Sequence, residues 1–160
     1  MSFPFNFIII PGIIIATAII GSRYVKHGFN SSNWYRELKK PKWTPSRSLI
    51  GEIWIFLYVI TGLAILWYWN VPVPHWFRYI TAVVLLANAY LNATWNRTFF
   101  IELNLHKAYN TMQIMNGTTI IATILMFFAS PIASFLMLPY IIWVGIATKL
   151  TKQIIELNKK

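Results

Sequence analysis

Side chains that commonly perform acid–base, nucleophilic or metal chemistry are few in this 160-residue chain, and they are far apart. The four acids fall in loops or at the ends of expected helices: Glu37, Glu52, Glu102 and Glu156. The three histidines show no metal-ligand spacing: His27, His75 and His106. The chain has no cysteine, so disulfides and thiolate chemistry are excluded. The sequence therefore predicts no metal site and no catalytic acid–base pair, and it favours binding of an apolar ligand.

The polar residues that stand out instead are amides inside long apolar segments. Asn88, Asn92 and Asn96 are spaced i, i+4, i+8, which places them on one face of a helix. A second set follows at i, i+3, i+6: Asn110, Gln113 and Asn116. Because lipid cannot satisfy an amide, such faces are expected to look into a helix bundle. Two interpretations stay open, namely hydrogen bonds between helices and a ligand cavity lined by amides and aromatic rings.

The elements that carry these amides are long uncharged segments. Only 11% of the residues are charged, whereas a soluble domain has about a quarter. Four runs contain no charge: 1–22, 53–77, 79–96 and 108–148. A helix crosses a membrane with about 20 apolar residues, so each run is long enough, and the last run is long enough for two spans. A break at Ala129-Ser130-Pro131 is expected to separate those two, because proline lacks a backbone donor and disfavours helix at the residue before it.

We therefore predict an all-α membrane protein whose single domain, 1–160, is a five-transmembrane-helix bundle with a long loop between helices 1 and 2. The expected helices are about 5–22, 51–69, 79–97, 106–128 and 133–151. Loop 1 covers 23–50, and a basic C-terminal tail covers 152–160. A membrane β-barrel is disfavoured because runs such as Val83-Val84-Leu85-Leu86 do not alternate. A cleaved signal peptide is disfavoured because no basic residue precedes the first apolar run.

The basic residues predict an orientation. A net charge of +10 suggests nucleic acid as the partner of a soluble protein. Here, however, every Lys and Arg except Arg78 falls in loop 1, around the connection 98–105, or at the C-terminus. Those three regions share one side of a five-helix bundle, so the expected topology is N-terminus outside and C-terminus in the cytoplasm. The basic excess thus indicates contact with the lipid bilayer, and no nucleic acid partner is expected.

Loop 1 is longer than a plain connection needs, and long loops are often functional. It contains the pattern Trp34-Tyr35-x-x-Leu38-x-Lys40-Pro41-x-Trp43-x-Pro45. Its prolines stiffen the segment, and we expect its aromatic side chains to fold back over the bundle mouth as a lid. The predicted lid residues are Trp34, Leu38, Pro41, Trp43 and Pro45.

Four further patterns occur along the chain: Gly21-Ser22-Arg23, Gly51-x-x-Trp54-x-x-Leu57-Tyr58-x-x-x-Gly62, Leu91-Asn92-x-x-Trp95-x-x-x-Phe99-Phe100 and Pro139-Tyr140-x-x-Trp143-x-x-x-Ala147-Thr148-x-Leu150. Together with loop 1 they resemble the translocator protein family, also called tryptophan-rich sensory proteins or peripheral benzodiazepine receptors. The resemblance covers nearly the whole chain, in order and with the expected spacing.

The resemblance implies a five-helix bundle, commonly a homodimer, with a pocket that binds porphyrins, haem precursors and benzodiazepine-type ligands. No cofactor is required, and porphyrin or haem is the ligand. The ligand-binding residues implied are Trp54, Tyr58, Asn92, Trp95, Trp143, Ala147 and Leu150. Family members lie in bacterial membranes or in the mitochondrial outer membrane. A flat tetrapyrrole suits aromatic walls with a few orienting polar groups.

The chain departs from the family pattern at three places. Lys107 and Thr111 stand where animal members have a tryptophan and an acid. Lys152 and Glu156 replace the Tyr and Arg of the C-terminal sterol pattern, so sterol binding is not expected. Ser46 replaces the second proline of a loop 1 Pro-Pro pair.

Three functional hypotheses follow. The leading one is a membrane protein that holds protoporphyrin IX or haem as a carrier, sensor or scavenger. The second is an enzyme-like, light- or oxygen-dependent degradation of the bound porphyrin, assisted by tryptophan. The third is an oligomeric interaction protein, in which Ala89-x-x-x-Ala93 and Gly12-x-x-x-Ala16 permit close helix contact.

Overall fold

A computed structural model describes residues 5–31 and 33–159, with only the backbone of Ser31 included. This part of the chain contains six helices and no strand: α1 (Asn6–Ser31), α2 (Trp34–Glu37), α3 (Arg47–Trp69), α4 (His75–Phe100), α5 (Leu105–Ala129) and α6 (Pro131–Leu157). The prediction of an all-helical protein is confirmed. The count differs from five because loop 1 contains the short helix α2.

Two predicted helix ends were placed too early. α1 continues to Ser31 instead of ending at 22, and α6 continues to Leu157 instead of ending at 151. The predictions ended these helices where charge begins, but Lys and Arg are good helix formers and here lie on exposed helix faces. The segment between α1 and α3 is therefore 32–46 rather than 23–50, and most of the expected tail 152–160 is helical. α3 begins at Arg47, where the Ser46 hydroxyl accepts a hydrogen bond from the Leu49 amide at 3.2 Å.

Of the six helices in the described part of the chain, four are long and apolar enough to cross a membrane: α1, α3, α5 and α6. α4 has 26 residues and a length of about 39 Å, but the amides at Asn88, Asn92 and Asn96 make it less apolar. The outward surfaces of the bundle expose many large apolar side chains, among them Phe56 and Phe135. Such surfaces suit a protein whose solvent is lipid.

The five long helices form a ring in the order α1, α3, α6, α5, α4, with α4 returning to α1. α5 and α6 are joined by Ser130 alone, which lies within the predicted break at 129–131. Ser130 caps α6 by accepting from the Ala133 amide, and Pro131 occupies the first turn, where a missing N–H costs nothing.

The bundle has two clusters of buried apolar side chains. The larger one lies between α3, α5 and α6 and includes Leu57, Met115 and Trp143. The smaller one, against which Trp34 and Tyr35 pack, consists of Trp95, Phe99, Ala108 and Met112. Trp54 packs against both clusters, so it stands at their junction.

Candidate ligand-binding site

The amide stripe of α4 is turned into the bundle, as predicted. Asn88, Asn92 and Asn96 are all buried. The hydroxyl of Tyr58 donates to Asn92 Oδ1 at 2.9 Å, and Asn92 Nδ2 donates to the Tyr140 hydroxyl at 3.4 Å. The Tyr140 hydroxyl in turn donates to Asn88 Oδ1 at 3.1 Å. A continuous chain of side-chain hydrogen bonds therefore joins α3, α4 and α6.

Asn88 extends this chain to α5. Its amide nitrogen lies 3.0 Å from the Met115 carbonyl oxygen, 3.0 Å from Thr118 Oγ1 and 2.8 Å from Thr119 Oγ1. These contacts confirm the interhelical interpretation for Asn88, whose oxygen and nitrogen are both engaged. In a membrane such contacts typically contribute about 0.6 kcal/mol and at most about 2 kcal/mol each.

The second amide set is not buried as a stripe. Asn110 and Gln113 are exposed, and Gln113 Nε2 donates to the Tyr109 hydroxyl on its own helix. Asn116 is half-buried. Because α5 turns a different face toward α4 and α6, two of these three amides remain outside the bundle.

A cavity of about 40 Å³ lies between α1, α3, α4 and α6. Of the predicted ligand-binding residues, Trp54, Tyr58 and Asn92 line it. The buried hydroxyl of Thr61 also lines it and has no hydrogen-bond partner within residues 5–31 and 33–159. Ligand pockets for drug-sized molecules measure about 300–1,000 Å³, so this space admits small molecules such as water and not a tetrapyrrole.

Aromatic rings form one part of the wall of this cavity. Trp54 stacks on Trp95 with ring centres 5.7 Å apart and an interplanar angle of 29°. Tyr58 and Tyr140 approach the Trp54 ring at 5.9 and 6.2 Å. We call these four side chains the aromatic cluster. The indole N–H groups of Trp95 and of nearby core residue Trp143 are buried and have no partner in the described part of the chain.

The three predicted site residues of α6 lie in different parts of the bundle. Trp143 is buried in the larger apolar cluster together with Tyr140, and Trp54 packs against that cluster. Ala147 packs against the smaller cluster, which contains Trp95. Leu150 is buried but belongs to neither cluster, and none of the three lines the cavity.

Residues 33–46, which we call the lid, fold over the bundle mouth. Trp34 meets Phe99 edge-on, with ring centres 5.6 Å apart and planes at 74°. Tyr35 contacts the rings of Phe29, Phe99 and Phe100 at 5.2 to 6.3 Å. These contacts place the lid directly on the α4 end of the smaller apolar cluster.

The lid is also tied to the end of α6. The Trp43 indole N–H donates to Gln153 Oε1 at 2.8 Å. The Lys39 amide donates to Asn158 Oδ1 at 3.1 Å, and Asn158 Nδ2 donates back to the Lys39 carbonyl at 2.9 Å. We call these three bonds the latch. The remaining predicted lid residues are half-buried between the contacts: Leu38, Pro41 and Pro45.

Cations lie against aromatic rings in and beside the lid. Lys40 Nζ is 4.5 Å from the centre of the Tyr35 ring, and the Arg47 guanidinium is 3.6 Å from the centre of the Phe29 ring. Burial lowers the pKa of Lys40 and raises the pKa of Tyr35, although the positive charge of Arg47 opposes the latter shift. Lys40 of the lid and Arg47 at the start of α3 thus place positive charge directly beside aromatic rings.

Several contributors to this site were not among the predicted site residues, namely Asn88, Tyr140, Phe99 and Tyr35. Each stood in a pattern that the sequence analysis noted, but spacing along one helix does not reveal which helix it meets. Gly21 is a further case. A Cβ there would lie 3.0 Å from Asn96 Nδ2, so the glycine lets α1 approach the amide stripe closely.

The family departures at Lys107 and Thr111 do not lie in the cavity wall. Lys107 Nζ pairs with Glu102 Oε2 at 2.7 Å in the exposed turn between α4 and α5. This pairing and its hydrogen bond hold the pKa of Glu102 below its usual range. Thr111 is buried and bonds to the Lys107 carbonyl on its own helix. In the described residues, no group of three His or acidic side chains is placed to hold a metal.

Comparison with known proteins gives consistent matches. The model of the TspO/MBR family matches residues 7–157. An uncharacterized membrane protein, YtaB of Bacillus subtilis, is 35% identical over 130 residues, 78% of this chain and 80% of that protein. The tryptophan-rich protein TspO of Bacillus cereus is 29% identical over 129 residues, 78% and 80% of the two chains. The human translocator protein is 28% identical over 132 residues, 82% and 77%.

Proposed function

Because the chain belongs to the TspO/MBR family, we propose that this membrane protein binds tetrapyrroles such as protoporphyrin IX and haem beneath its lid, as a carrier, sensor or scavenger. The observation that carries the proposal is the stacked pair Trp54 and Trp95. A planar aromatic macrocycle binds best to such faces, and indole pairs contribute about 0.5–1.5 kcal/mol beyond the area they bury.

Polar groups beside the aromatic cluster suit the rest of the ligand. The unpartnered indole N–H groups of Trp95 and Trp143 are donors for an acceptor on the ligand. The propionates of a porphyrin are anionic, and Lys40 and Arg47 lie at the mouth on the lid side. We infer that the macrocycle enters with its propionates toward the lid.

Binding requires the aromatic cluster to rearrange. The cavity of about 40 Å³ is roughly a tenth of the smallest pockets that enclose drug-sized ligands. Trp54 is only half-buried and packs against both apolar clusters, so we infer that it rotates away from Trp95 to make room for the macrocycle. Release of the latch then uncovers the mouth.

The proposed arrangement in the membrane has five spans. α4 is the fifth, since it is as long as the others and packs between α1 and α5. The N-terminus lies outside and the C-terminus in the cytoplasm, because the Lys and Arg residues other than Arg78 collect at the lid end. The membrane is that of a bacterium or the mitochondrial outer membrane. A homodimer is part of the proposal, and mass measurement in mild detergent tests it.

Quenching of tryptophan fluorescence by protoporphyrin IX tests the binding proposal. The purified protein in detergent is expected to show saturable quenching. Trp54→Leu is expected to weaken binding about 2- to 12-fold through the loss of one stacking partner. Trp76→Leu is the matched control, since Trp76 is 64% exposed at the opposite end of the bundle. Absence of saturation, or equal weakening by both variants, overturns the proposal.

Porphyrin breakdown is a second candidate, favoured by the contact of Trp54 with another indole and two phenols within about 6 Å. Such a set of oxidisable rings can react with a photoexcited porphyrin and dioxygen. Absorbance of the bound porphyrin under illumination separates the candidates. Loss of the Soret band with a new product supports breakdown, while a constant spectrum supports binding alone.

A further inference from the structure

The outward face of α1 ends in a polar group that the proposed function does not use. Four exposed side chains of this face line a shallow depression of about 440 Å³: Arg23, Lys26, His27 and Asn30. They are spaced i, i+3, i+4, i+7, so they share one side of the helix. The opposite side of α1 carries its buried residues, including Gly21 and Gly28. The depression therefore faces away from the bundle.

An apolar strip continues from this group along the same side of α1. Going toward the N-terminus, the strip consists of exposed Ile20, Ala16, Gly12 and Ile9. A Cβ on Gly12 would meet nothing within 4 Å, so no other part of the described chain covers the strip. The small side chains at Gly12 and Ala16 leave a shallow channel between the larger isoleucines. A polar, cationic end and an apolar channel on one helix face match the two parts of a phospholipid.

We propose that this face binds an anionic phospholipid, with the headgroup phosphate at Arg23 and Lys26 and an acyl chain along Gly12 and Ala16. Among the described residues the ion pairs involve Glu102 with Arg97 and Lys107, so Arg23 and Lys26 have their charge available for a ligand. Cationic side chains near a membrane surface each contribute to the attraction of anionic lipid. The amide of Asn30 adds a donor at the headgroup level.

A second copy of the chain fits this face less well. Gly12-x-x-x-Ala16 is a spacing that often mediates helix contact. In a parallel, two-fold symmetric pair, however, the same contact places Arg23 and Lys26 beside their own copies. Like charges held together in this way repel, whereas a phosphate neutralises them. Charge complementarity therefore favours an anionic phospholipid over a second copy of the chain at this face.

Thermal unfolding of the full-length protein in neutral detergent, with added lipid, measures the interaction. Phosphatidylglycerol is expected to raise the unfolding temperature saturably, and phosphatidylcholine is expected to do so much less. The double variant Arg23→Gln/Lys26→Gln is expected to bind phosphatidylglycerol about 30-fold more weakly, about 5-fold for each charge removed. The matched control Lys149→Gln/Lys152→Gln removes two exposed cations of α6 at the same end of the bundle and is expected to retain the affinity.

Two further arms distinguish the source of the phosphate and the occupant of the channel. Glycerol 3-phosphate at the same concentration is expected to have no effect, and an effect equal to that of the lipid overturns the role of the acyl chain. Gly12→Leu fills the channel without changing charge and is expected to weaken lipid binding. If the control pair loses affinity as much as the α1 pair, or if Gly12→Leu converts a dimer into a monomer with lipid affinity unchanged, the proposal is wrong.

Discussion

α1 approaches α4 closely at Gly28, and the size of this contact predicts the effect of a substitution there. Gly28 is buried against the end of α4. A Cβ at this position would lie 2.5 Å from the Phe100 carbonyl oxygen and 2.9 Å from Phe100 Cβ. A backbone carbonyl cannot rotate away as a side chain can, so Gly28→Ala must push α1 and α4 apart. Overpacking of this kind costs about 1–3 kcal/mol.

The gain in helix propensity from glycine to alanine offsets part of this cost, by up to about 1 kcal/mol. Gly117→Ala isolates that gain, because Gly117 lies inside α5 and its Cβ would meet nothing within 4 Å. The difference between the two variants therefore reports the steric cost alone.

Thermal unfolding in detergent, followed by tryptophan fluorescence, measures this difference. For a chain of this size, 1 kcal/mol corresponds to about 2–4 °C, so Gly28→Ala is expected to unfold about 2–12 °C below Gly117→Ala. Phe29 and Phe100 lie 5.6 Å apart beside Gly28, so the shift also loosens the rings that support the lid. Equal unfolding temperatures for the two variants would refute the close contact between α1 and α4.

Three other predictions concern the polar contacts. Tyr140→Phe removes the hydroxyl that joins two α4 amides and is expected to lower the free energy of unfolding by about 0.6–2 kcal/mol, measured by thermal unfolding. The control Tyr90→Phe alters a side chain that is 71% exposed and is expected to leave the stability unchanged, so equal effects of the two variants contradict the network. Asn158→Ala removes two of the three latch bonds and is expected to increase the rate of tryptic cleavage in the lysine-rich lid about 5-fold. An unchanged cleavage rate contradicts the role of the latch. Lys107→Gln is expected to raise the pKa of Glu102 toward its usual range, because the Lys107 ammonium stabilises the ionised carboxylate and this stabilisation is lost once the carboxylate is protonated at low pH. An NMR titration measures the shift, and an unchanged pKa contradicts the pairing.

Helical spans were predictable because their cause is local in sequence. An apolar segment of sufficient length and free of charge satisfies its backbone only as a helix in lipid. The same rule misplaced the ends of α1 and α6, since charged residues such as Lys26 and Lys152 continue a helix once their side chains reach water or headgroups. Capping at Ser46 and Ser130 set the starts of α3 and α6 more reliably than charge did.

In the candidate site, too, features that depend on spacing within one helix were predictable, and contacts between helices were not. The spacing of Asn88, Asn92 and Asn96 required an inward face, and the structure confirms it. Spacing along one helix did not reveal that Tyr140 stands between two of these amides, because that contact joins residues 48 and 52 positions apart.

By itself, the sequence of this protein determined a family, an all-helical membrane architecture and the residue types available to a ligand, since each depends on composition or on spacing within one element. Only the tertiary structure decided how the helices pair, that Trp54 stacks on Trp95 at the wall of a cavity of about 40 Å³, and that the lid is latched to α6. These features depend on distances between residues far apart in the chain, where packing and hydrogen-bond geometry select one pairing among many that the same pattern allows.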